Sequence, residues 1–277
     1  MLKKWMWLIT IAIGLLGVLP AWAADGWYAF IYNSAARQLV RVGLDGTQAT
    51  FDLGLDENVF LSGFDMAASV DGNRIAFCAS SARVDSPQSD TTLIVRDLAA
   101  QANVLALPLG VNMSCRVTHA SLKADASQVA VSLVKYYPGS PDMDTDGPIW
   151  RLLVVDVASG SILSEINAES LPVMTAGVQG GVALLPEVRS FSSNQIVFAE
   201  IPYGIGGAPE WNAFVWHLDS GAVEADTTGI WGKSGLSINP ATGETIWLDQ
   251  DPNRPAADPG GPIPAFNVVV QADSSGT

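Results

Sequence analysis

Four short segments of the chain share one pattern, a small polar turn that runs directly into an apolar, β-branched strand. The copies lie at residues 69–77, 123–131, 191–198 and 239–247, and the first reads Ser-Val-Asp-Gly-Asn-Arg-Ile-Ala-Phe. Turn residues followed by such runs predict hairpin strands. Self-similar units spaced along a chain are typical of repeat architectures, so this pattern constrains the fold more than any other feature.

A second pattern follows each of these four units, and one earlier copy of it precedes the first unit. Short β-branched runs lie at residues 38–44, 93–98, 152–157, 213–218 and 266–272, and each is followed by hairpin-type turn residues. Aligned on their central apolar pairs, the copies are separated by about the length of a four-stranded propeller blade. The sequence therefore predicts an all-β protein, a β-propeller of four-stranded blades with about five repeat units.

The two ends of the repeat array are incomplete in the same way. The chain opens with three predicted strands and closes with three, and Thr277 stands in the middle of a repeat. An open ring exposes strand edges, which natural β-proteins avoid. Residues 24–277 are thus predicted to form either a small, imperfect ring or a propeller domain truncated at its C-terminus, and the ending within a repeat favours truncation.

The first turn-strand unit resembles that of the TolB-like family of bacterial β-propellers, in which it reads roughly Ser-Pro-Asp-Gly-x-x-Ile-Ala-Phe. The matching residues are Ser69, Asp71, Gly72, Ile75, Ala76 and Phe77, with Val70 in the proline position. The second copy matches more weakly, at Asp125, Val129 and Ala130, and WD-repeat propellers are more distantly similar. The resemblance implies a rigid platform for protein or small-ligand binding, usually outside the cytoplasm, and it implies no catalytic residue.

Residues 1–23 have the layout of a secretory signal peptide. Lys3 and Lys4 precede an apolar run over residues 5–19, and Ala21-Trp22-Ala23 is a small-x-small cleavage signal. The alternative is an uncleaved anchor helix, but the run is shorter than the roughly 20 residues that a spanning helix needs. We expect cleavage before Ala24, export to the periplasm or the cell exterior, and no membrane span in the mature chain.

The charge balance excludes one class of partner. The chain has 28 acidic and 14 basic residues, a formal net charge of −14. An acidic surface repels nucleic acid phosphates, so we expect no nucleic acid partner. The charge suits an exported protein, and it also suits one that attracts cations or basic partners.

The two cysteines, Cys78 and Cys115, leave two alternatives open. In an oxidising compartment such a pair forms a disulfide, and in a propeller these two positions would lie on neighbouring blades. Alternatively, both are free, buried thiols that pack as small apolar residues.

The long loops are predicted to lie on one face of the propeller and the short turns on the other. The long loops span residues 80–91, 136–148, 202–211 and 250–264 and are rich in Pro, Gly and Asp. Binding sites are usually built on such loops when a stiff scaffold carries them. We expect ligands to bind on this long-loop face.

One of these loops carries alternate carboxylates. Asp142, Asp144 and Asp146 precede a glycine and could present several oxygen ligands to one Ca²⁺. The twelfth position of the loop, a glutamate in EF-hands, is Leu153, and the ninth is Trp150. The loop is predicted either to bind Ca²⁺ weakly or to form a solvated acidic turn.

These observations favour a secreted, non-catalytic β-propeller that binds a protein or cell-envelope ligand through the long-loop face. The alternatives are a propeller-fold glycan lyase or hydrolase, or the non-catalytic propeller of a longer enzyme. A cluster of convergent charged residues on the inner strands would favour an enzyme, but the sequence is expected to place few charges there.

Overall fold

A computed structural model describes residues 28–43, 45–61, 66–82, 89–111, 113–135, 150–172, 178–179, 182–202, 212–229, 231, 237–238, 245–249 and 268–272. Across these ranges the chain forms β-strands and turns, with one 3₁₀ turn at Ala168–Ser170. The predicted all-β class is confirmed for this part of the chain. No helix within these ranges is both long enough and apolar enough to cross a membrane. The predicted signal peptide, residues 1–23, lies outside them.

The described strands form five antiparallel sheets. The first sheet contains β1 (Tyr28–Asn33), β2 (Gln38–Gly43) and β3 (Gln48–Asp52). The second contains β4 (Val59–Leu61), β5 (Ala67–Ala68), β6 (Arg74–Ala82), β7 (Ser89–Asp97) and β8 (Ala102–Val111). The third contains β9 (Met113–Arg116), β10 (Gln128–Lys135), β11 (Trp150–Asp156) and β12 (Ile162–Asn167). The fourth contains β13 (Val178–Gln179), β14 (Val182–Phe191), β15 (Gln195–Pro202), β16 (Ala213–His217) and β17 (Val223–Ala225), and the fifth contains β18 (Ser237–Ile238), β19 (Thr245–Asp249) and β20 (Val268–Ala272).

Each sheet is an antiparallel meander, and in the second sheet β4 and β5 both pair with β6 rather than with each other. The second, third and fourth sheets have four strand positions, numbered in chain order, which is the arrangement of propeller blades. In the fourth sheet the two-residue β13 pairs in addition with the start of β14. Position one is held by β4 with β5, by β9 and by β14, and position two by β6, β10 and β15. The predicted blade-like arrangement is thus confirmed in these sheets, whereas the choice between a small ring and a truncated domain stays open, as in the sequence.

The first sheet has a different complement of strands. β2 is equivalent to the position-three strands β7, β11 and β16, because all four contain the β-branched run that is followed by hairpin-type turn residues. β1 therefore holds position two, and in the described residues it pairs only with β2. The first sheet has no strand at position one within that part of the chain.

The turn-strand units form through hydrogen bonds between near neighbours. The Asp71 carboxylate accepts from the Ser69 hydroxyl and from the backbone N–H of Asn73, and Gly72 takes a φ of 63°. In the second copy Ala126 takes the equivalent φ of 55°, which costs energy for a residue with a Cβ. The Asp125 carboxylate offsets that cost by accepting from the backbone and the hydroxyl of Ser127, at 2.9 and 2.6 Å.

Apolar side chains fill the spaces between neighbouring sheets. Because successive side chains of a strand point to opposite faces, β6 contributes to two separate clusters. Ile75 and Phe77 pack towards the first sheet, in a cluster that also contains Leu39 and Phe51. Ala76 and Cys78 pack towards the third sheet. A further cluster, containing Trp150 and Phe198, joins the third and fourth sheets. Each large apolar side chain fully buried here contributes about 1.5–3 kcal/mol.

The two cysteines form a disulfide between neighbouring sheets. Cys78 lies on β6 and Cys115 on β9, with their Cα atoms 5.7 Å apart. Both residues are buried within the cluster that joins the second and third sheets. Of the two alternatives left open by the sequence, the structure contains the bonded pair.

Two arginines at equivalent places tie the first sheet to the second. Arg41 on β2 donates to the carbonyl oxygen of Gly72 at 3.0 Å, and Arg96 on β7 donates to that of Asp52 at 2.9 Å. Gly54 has a φ of 65°, and a Cβ there would lie 2.7 Å from the Arg96 guanidinium. A glycine is therefore required where the chain passes this buried side chain.

Candidate functional site

A pocket of about 270 Å³ lies where the first four sheets meet, and we call it the inner pocket. It is lined by Phe30, Tyr32, Met66, Arg116, Thr118, His119 and Glu187. The first two come from β1, Met66 precedes β5, and the others lie on or next to the position-one strands β9 and β14. One wall is therefore aromatic and apolar, and the opposite wall is polar and charged.

An ion-pair network forms the charged wall. The Glu187 carboxylate accepts from Arg116 through one oxygen and from Arg189 through the other, each at 2.9 Å. Burial lowers the pKa of the Arg189 guanidinium, Glu187 opposes that shift, and the positive charge of Arg116 adds to it. A buried charge is tolerated when paired in this way, so Glu187 keeps both guanidinium groups in place.

A β-bulge sets the direction of the Arg189 side chain. Val188 pairs with Phe198 and Ser190 with Val197, so Arg189 has no residue of its own opposite it on β15. Bulges re-aim side chains and are frequent beside functional sites. The Arg189 side chain is 5% exposed, and its Nε atom has no hydrogen-bond partner in the described structure.

Two hydroxyl groups hold the backbone on either side of Glu187. Ser132 on β10 donates to the carbonyl oxygen of Pro186, and Thr118 donates to that of Val188 at 2.6 Å. Ser132 belongs to the third sheet and Thr118 follows its strand β9, whereas both acceptors belong to β14 of the fourth sheet. These two bonds hold the backbone of β14 in place, and the Glu187 carboxylate therefore lies within hydrogen-bonding distance of Arg116.

The edge of β1 borders the inner pocket. Phe30 and Tyr32 contribute side chains to the pocket, whereas the alternate residue Ile31 points away and is 57% exposed. Since half of the backbone groups of an edge strand point away from its partner, β1 presents N–H and C=O groups beside the pocket that pair with no other strand among the described residues.

The described part of the long-loop face carries an exposed aromatic residue. Phe60 pairs with Ser80 near the end of β6 that leads into residues 83–88, and it is 59% exposed. The guanidinium of Arg37 lies 6.0 Å from the Phe60 ring centre and donates to the carbonyl oxygens of Asp56 and Glu57. This arginine therefore ties the β1–β2 hairpin to the segment before β4.

The predicted metal ligands cannot be compared with the structure. Asp142, Asp144 and Asp146 lie outside the described residues, as does most of the long-loop face. Within the described ranges there is no group of three or more His, Cys, Asp or Glu side chains that could hold a metal ion. Calcium binding by the loop stays a prediction.

The buried tryptophan beside that loop has an acidic partner. Trp150, the first residue of β11, is fully buried, and its indole donates to the Glu200 carboxylate at 3.2 Å. Glu200 is itself buried in the fourth sheet. Trp150 thus fills the space between two sheets rather than presenting an exposed surface.

The charged residues of the described position-one strands are few, but they lie close together. Arg116, Glu187 and Arg189 all lie on position-one strands, and they converge beside one pocket. The sequence indicates this charged wall only over a short stretch, residues 186–189. Glu187 and Arg189 are two positions apart there, which is the spacing of residues on the same face of a strand.

No protein-family model matches the chain, and no curated protein matches it. Solved structures resemble it at low identity. The tricorn protease matches with a TM-score of 0.49 and 13% identity, over 80% of this chain and 23% of that one. The acylaminoacyl peptidase of Pyrococcus horikoshii matches with a TM-score of 0.40 and 13% identity, over 82% and 34% of the two chains. TolB from Acinetobacter baumannii matches with a TM-score of 0.41 and 11% identity, over 90% and 52%.

The chain thus spans about a third or less of the two peptidase chains. At this level of identity and of structural overlap the similarity carries no argument about function. TolB proteins are among the structures that the chain resembles, and the described sheets have the strand order of propeller blades.

Proposed function

We propose that this protein is an exported, non-catalytic β-propeller that binds a protein or cell-envelope ligand through its long-loop face and the inner pocket. The observation that carries the proposal is the inner pocket itself, a concave site built by four neighbouring sheets. Pockets between packed elements, with apolar walls and a few placed polar groups, are the usual ligand sites of proteins.

The pairing of the charged wall favours binding over catalysis. Both oxygens of Glu187 accept from guanidinium groups, so the carboxylate is engaged with Arg116 and Arg189. A general acid or base must instead reach the proton of a substrate. Residues held in such a network position a surface for recognition.

Export is supported by the disulfide between Cys78 and Cys115, because such bonds persist in oxidising compartments. The test is the N-terminus of protein recovered from the periplasmic fraction of a bacterial host. Mass spectrometry should find a chain that begins at Ala24. A chain that retains residues 1–23 and sediments with membranes would contradict the proposal.

The binding face can be tested with a photo-crosslinking amino acid at two exposed apolar positions. Phe60 lies at the long-loop end of its sheet, and Val70, which is 53% exposed, lies in the short turn at the opposite end. In cells that produce the native protein, we expect one defined crosslinked partner from position 60 and none from position 70. Crosslinks from position 70 alone would place binding on the other face.

A second candidate function, a glycan lyase or hydrolase, is favoured by the convergence of Arg116, Glu187 and His119 at the inner pocket. The measurement is release of reducing or unsaturated ends from acidic and neutral polysaccharides. Turnover that disappears in Glu187→Gln, while the fold is retained, would replace the binding proposal by this one.

A further inference from the structure

Among the described residues, the side of β1 that faces away from β2 has no partner, whereas the second, third and fourth sheets carry a strand at that place. In the second, third and fourth sheets the strand at position two is paired on both sides, by position one and by position three. β1 holds position two in the first sheet and, among the described residues, is paired only on the side of β2. The position that would be filled next to it borders the inner pocket, through Phe30 and Tyr32.

This edge lacks the features with which β-proteins block strand addition. The six residues of β1 include no charge, proline or glycine. The outer edge strands of the first four sheets differ in this respect, since β3 contains Asp52, β8 contains Pro108, β12 contains Glu165 and β17 contains Glu224. Charges and prolines at edges prevent pairing with other chains, so the β1 edge, which has neither, is suited to accept a strand.

The size of the inner pocket suits side chains of an extended peptide. Sites that enclose a whole drug-sized ligand usually have volumes of about 300–1,000 Å³, and the inner pocket, at about 270 Å³, is smaller. Along a strand added to β1, alternate side chains would point to the same side as Phe30 and Tyr32. That side is apolar near β1 and Met66, and it becomes polar towards Arg116 and Glu187.

The charge of the protein indicates the character of the peptide. The chain carries 28 acidic and 14 basic residues. Two exposed acidic residues, Asp56 and Glu57, lie near the hairpin end of β1, because Arg37 of that hairpin bonds to their carbonyl oxygens. Opposite charge on a partner steers its approach and favours correct pairing.

We propose that an extended, basic segment of a partner protein adds as a strand to the free edge of β1, with alternate apolar side chains entering the inner pocket. The proposal rests on the protein-binding function proposed above and names its partner class. Backbone hydrogen bonds along β1 supply affinity, and the pocket supplies selectivity for the alternate side chains.

The first test uses purified residues 24–277 and a fluorescent peptide of alternating Lys and Val, seven residues long. We expect saturable binding by fluorescence anisotropy, and amide hydrogen exchange that slows in Tyr28–Asn33 when the peptide is added. A Glu-Val peptide should bind at least about tenfold more weakly, and so should the Lys-Val peptide N-methylated at alternate residues, because it loses the backbone donors of one edge.

Two isoleucines provide a matched pair of variants. Ile31 on β1 and Ile162 on β12 are 57% and 50% exposed, and both lie on edge strands. Ile31→Lys should weaken binding of the Lys-Val peptide about tenfold or more, because it places a charge on the edge that pairs. Ile162→Lys should leave the affinity unchanged within about twofold.

Three results would overturn the proposal. Slow exchange of the β1 amides in the monomer before peptide is added would mean that the chain itself covers the edge. A dimer whose dissociation exposes those amides would assign the edge to a second copy. Equal binding by the N-methylated peptide, or no saturable binding at all, would exclude strand addition. A crosslinked partner at position 60 in any of these cases would leave the proposed function standing.

Discussion

Glu187 lies between two guanidinium groups and accepts from both, and the side chain of one of them, Arg189, is almost completely buried. A guanidinium cannot lose its charge at ordinary pH, so removal of the carboxylate would leave a buried cation without its counter-ion. The same pair of residue types on the outer strands, Arg151 and Glu165, is about one third exposed on each side. Loss of the carboxylate should therefore lower the free energy of unfolding more at Glu187 than at Glu165.

We expect Glu187→Ala to lower the free energy of unfolding by about 3–5 kcal/mol, because breaking a buried ion pair leaves an uncompensated charge. Glu165→Ala is the matched control and should cost no more than about 1 kcal/mol, since solvent screens an exposed pair. Urea denaturation of both variants measures the difference. Equal losses would mean that water solvates the Arg189 side chain after all.

At the scale of the elements, the sheets are joined face to face by apolar clusters and, at one interface, by a covalent bond. Cys78 and Cys115 are separated by 37 positions in the sequence and connect β6 with β9. The bond restricts the unfolded chain and holds a position-one strand of only four residues, Met113–Arg116, against its neighbouring sheet.

The double variant Cys78→Ala/Cys115→Ala should be less stable than the oxidised protein by about 3–4 kcal/mol, from the closure entropy of a loop of this length. Thermal unfolding with and without a reducing agent measures it. The reductant should lower the melting temperature of the native protein and leave that of the double variant unchanged. A response of the double variant to the reductant would mean that the effect has another source.

The loop between β10 and β11 carries the calcium prediction. If Asp142, Asp144 and Asp146 bind Ca²⁺, millimolar Ca²⁺ should raise the melting temperature relative to EDTA, because a ligand that binds only the folded state stabilises it. Asp144→Ala should abolish the rise, and Asp219→Ala, in a turn of the fourth sheet, should retain it. An unchanged melting temperature in Ca²⁺ would identify a solvated acidic turn.

At the scale of the whole molecule, the turns of the repeats make stability depend on pH. Hydrogen bonds from Ser127 and Ser159 hold the pKa values of Asp125 and Asp156 below the ordinary range. Burial raises the pKa of Asp71, but hydrogen bonds from Ser69 and Asn73 and the charge of Arg74 outweigh it and lower the value. The pKa of Asp45 is lowered by hydrogen bonds from Thr47.

A carboxylate whose pKa is lowered by folding stabilises the protein above its unfolded value of about 3.9 and loses that contribution as the pH falls through its folded value. The triple variant Asp71→Asn/Asp125→Asn/Asp156→Asn should therefore unfold at lower temperature than wild type at pH 6. The difference in melting temperature between wild type and the triple variant should become smaller below about pH 4. The triple variant also loses negative charge, and the weaker self-repulsion acts against its destabilisation. The quantity to compare is therefore how the difference in melting temperature between wild type and variant changes with pH.

The control for this comparison is Glu57→Gln, which alters an exposed carboxylate outside the repeated turns. Its melting temperature should follow that of wild type at every pH. A gap between wild type and the triple variant that stays constant from pH 6 to pH 3 would contradict the role assigned to the turn carboxylates.

Features that depend on close neighbours were predictable from the sequence. The turn at Asp71 is made by residues within five positions of one another, and the strands after the four repeated turns begin where the pattern predicted. Four strands per blade were predicted, but the residues that form the position-one strands were not. β4, β5 and β9 are two to four residues long, and they are strands because β6 and β10 pair with them.

The candidate site depended still more on distant partners. Arg116 and Glu187 are 71 positions apart, and the hydroxyl of Thr118 reaches a carbonyl 70 positions away. No local pattern specifies such pairs, because each is formed only when two sheets have packed face to face. The charged alternation in β14 could have indicated that one strand face is polar, but not which residue it would meet.

By itself, the sequence determined the all-β class, the repeated hairpin turns and the acidic charge, since these follow from local hydrogen bonding, backbone preference and composition. Only the tertiary structure decided that the cysteines are bonded, that the charges of the position-one strands converge on one pocket, and that β1 beside it has no second partner strand among the described residues. The physical reason is the range of the interactions. Turns are closed by neighbours in the chain, whereas burial, ion pairing and strand edges are properties of surfaces that meet only after folding.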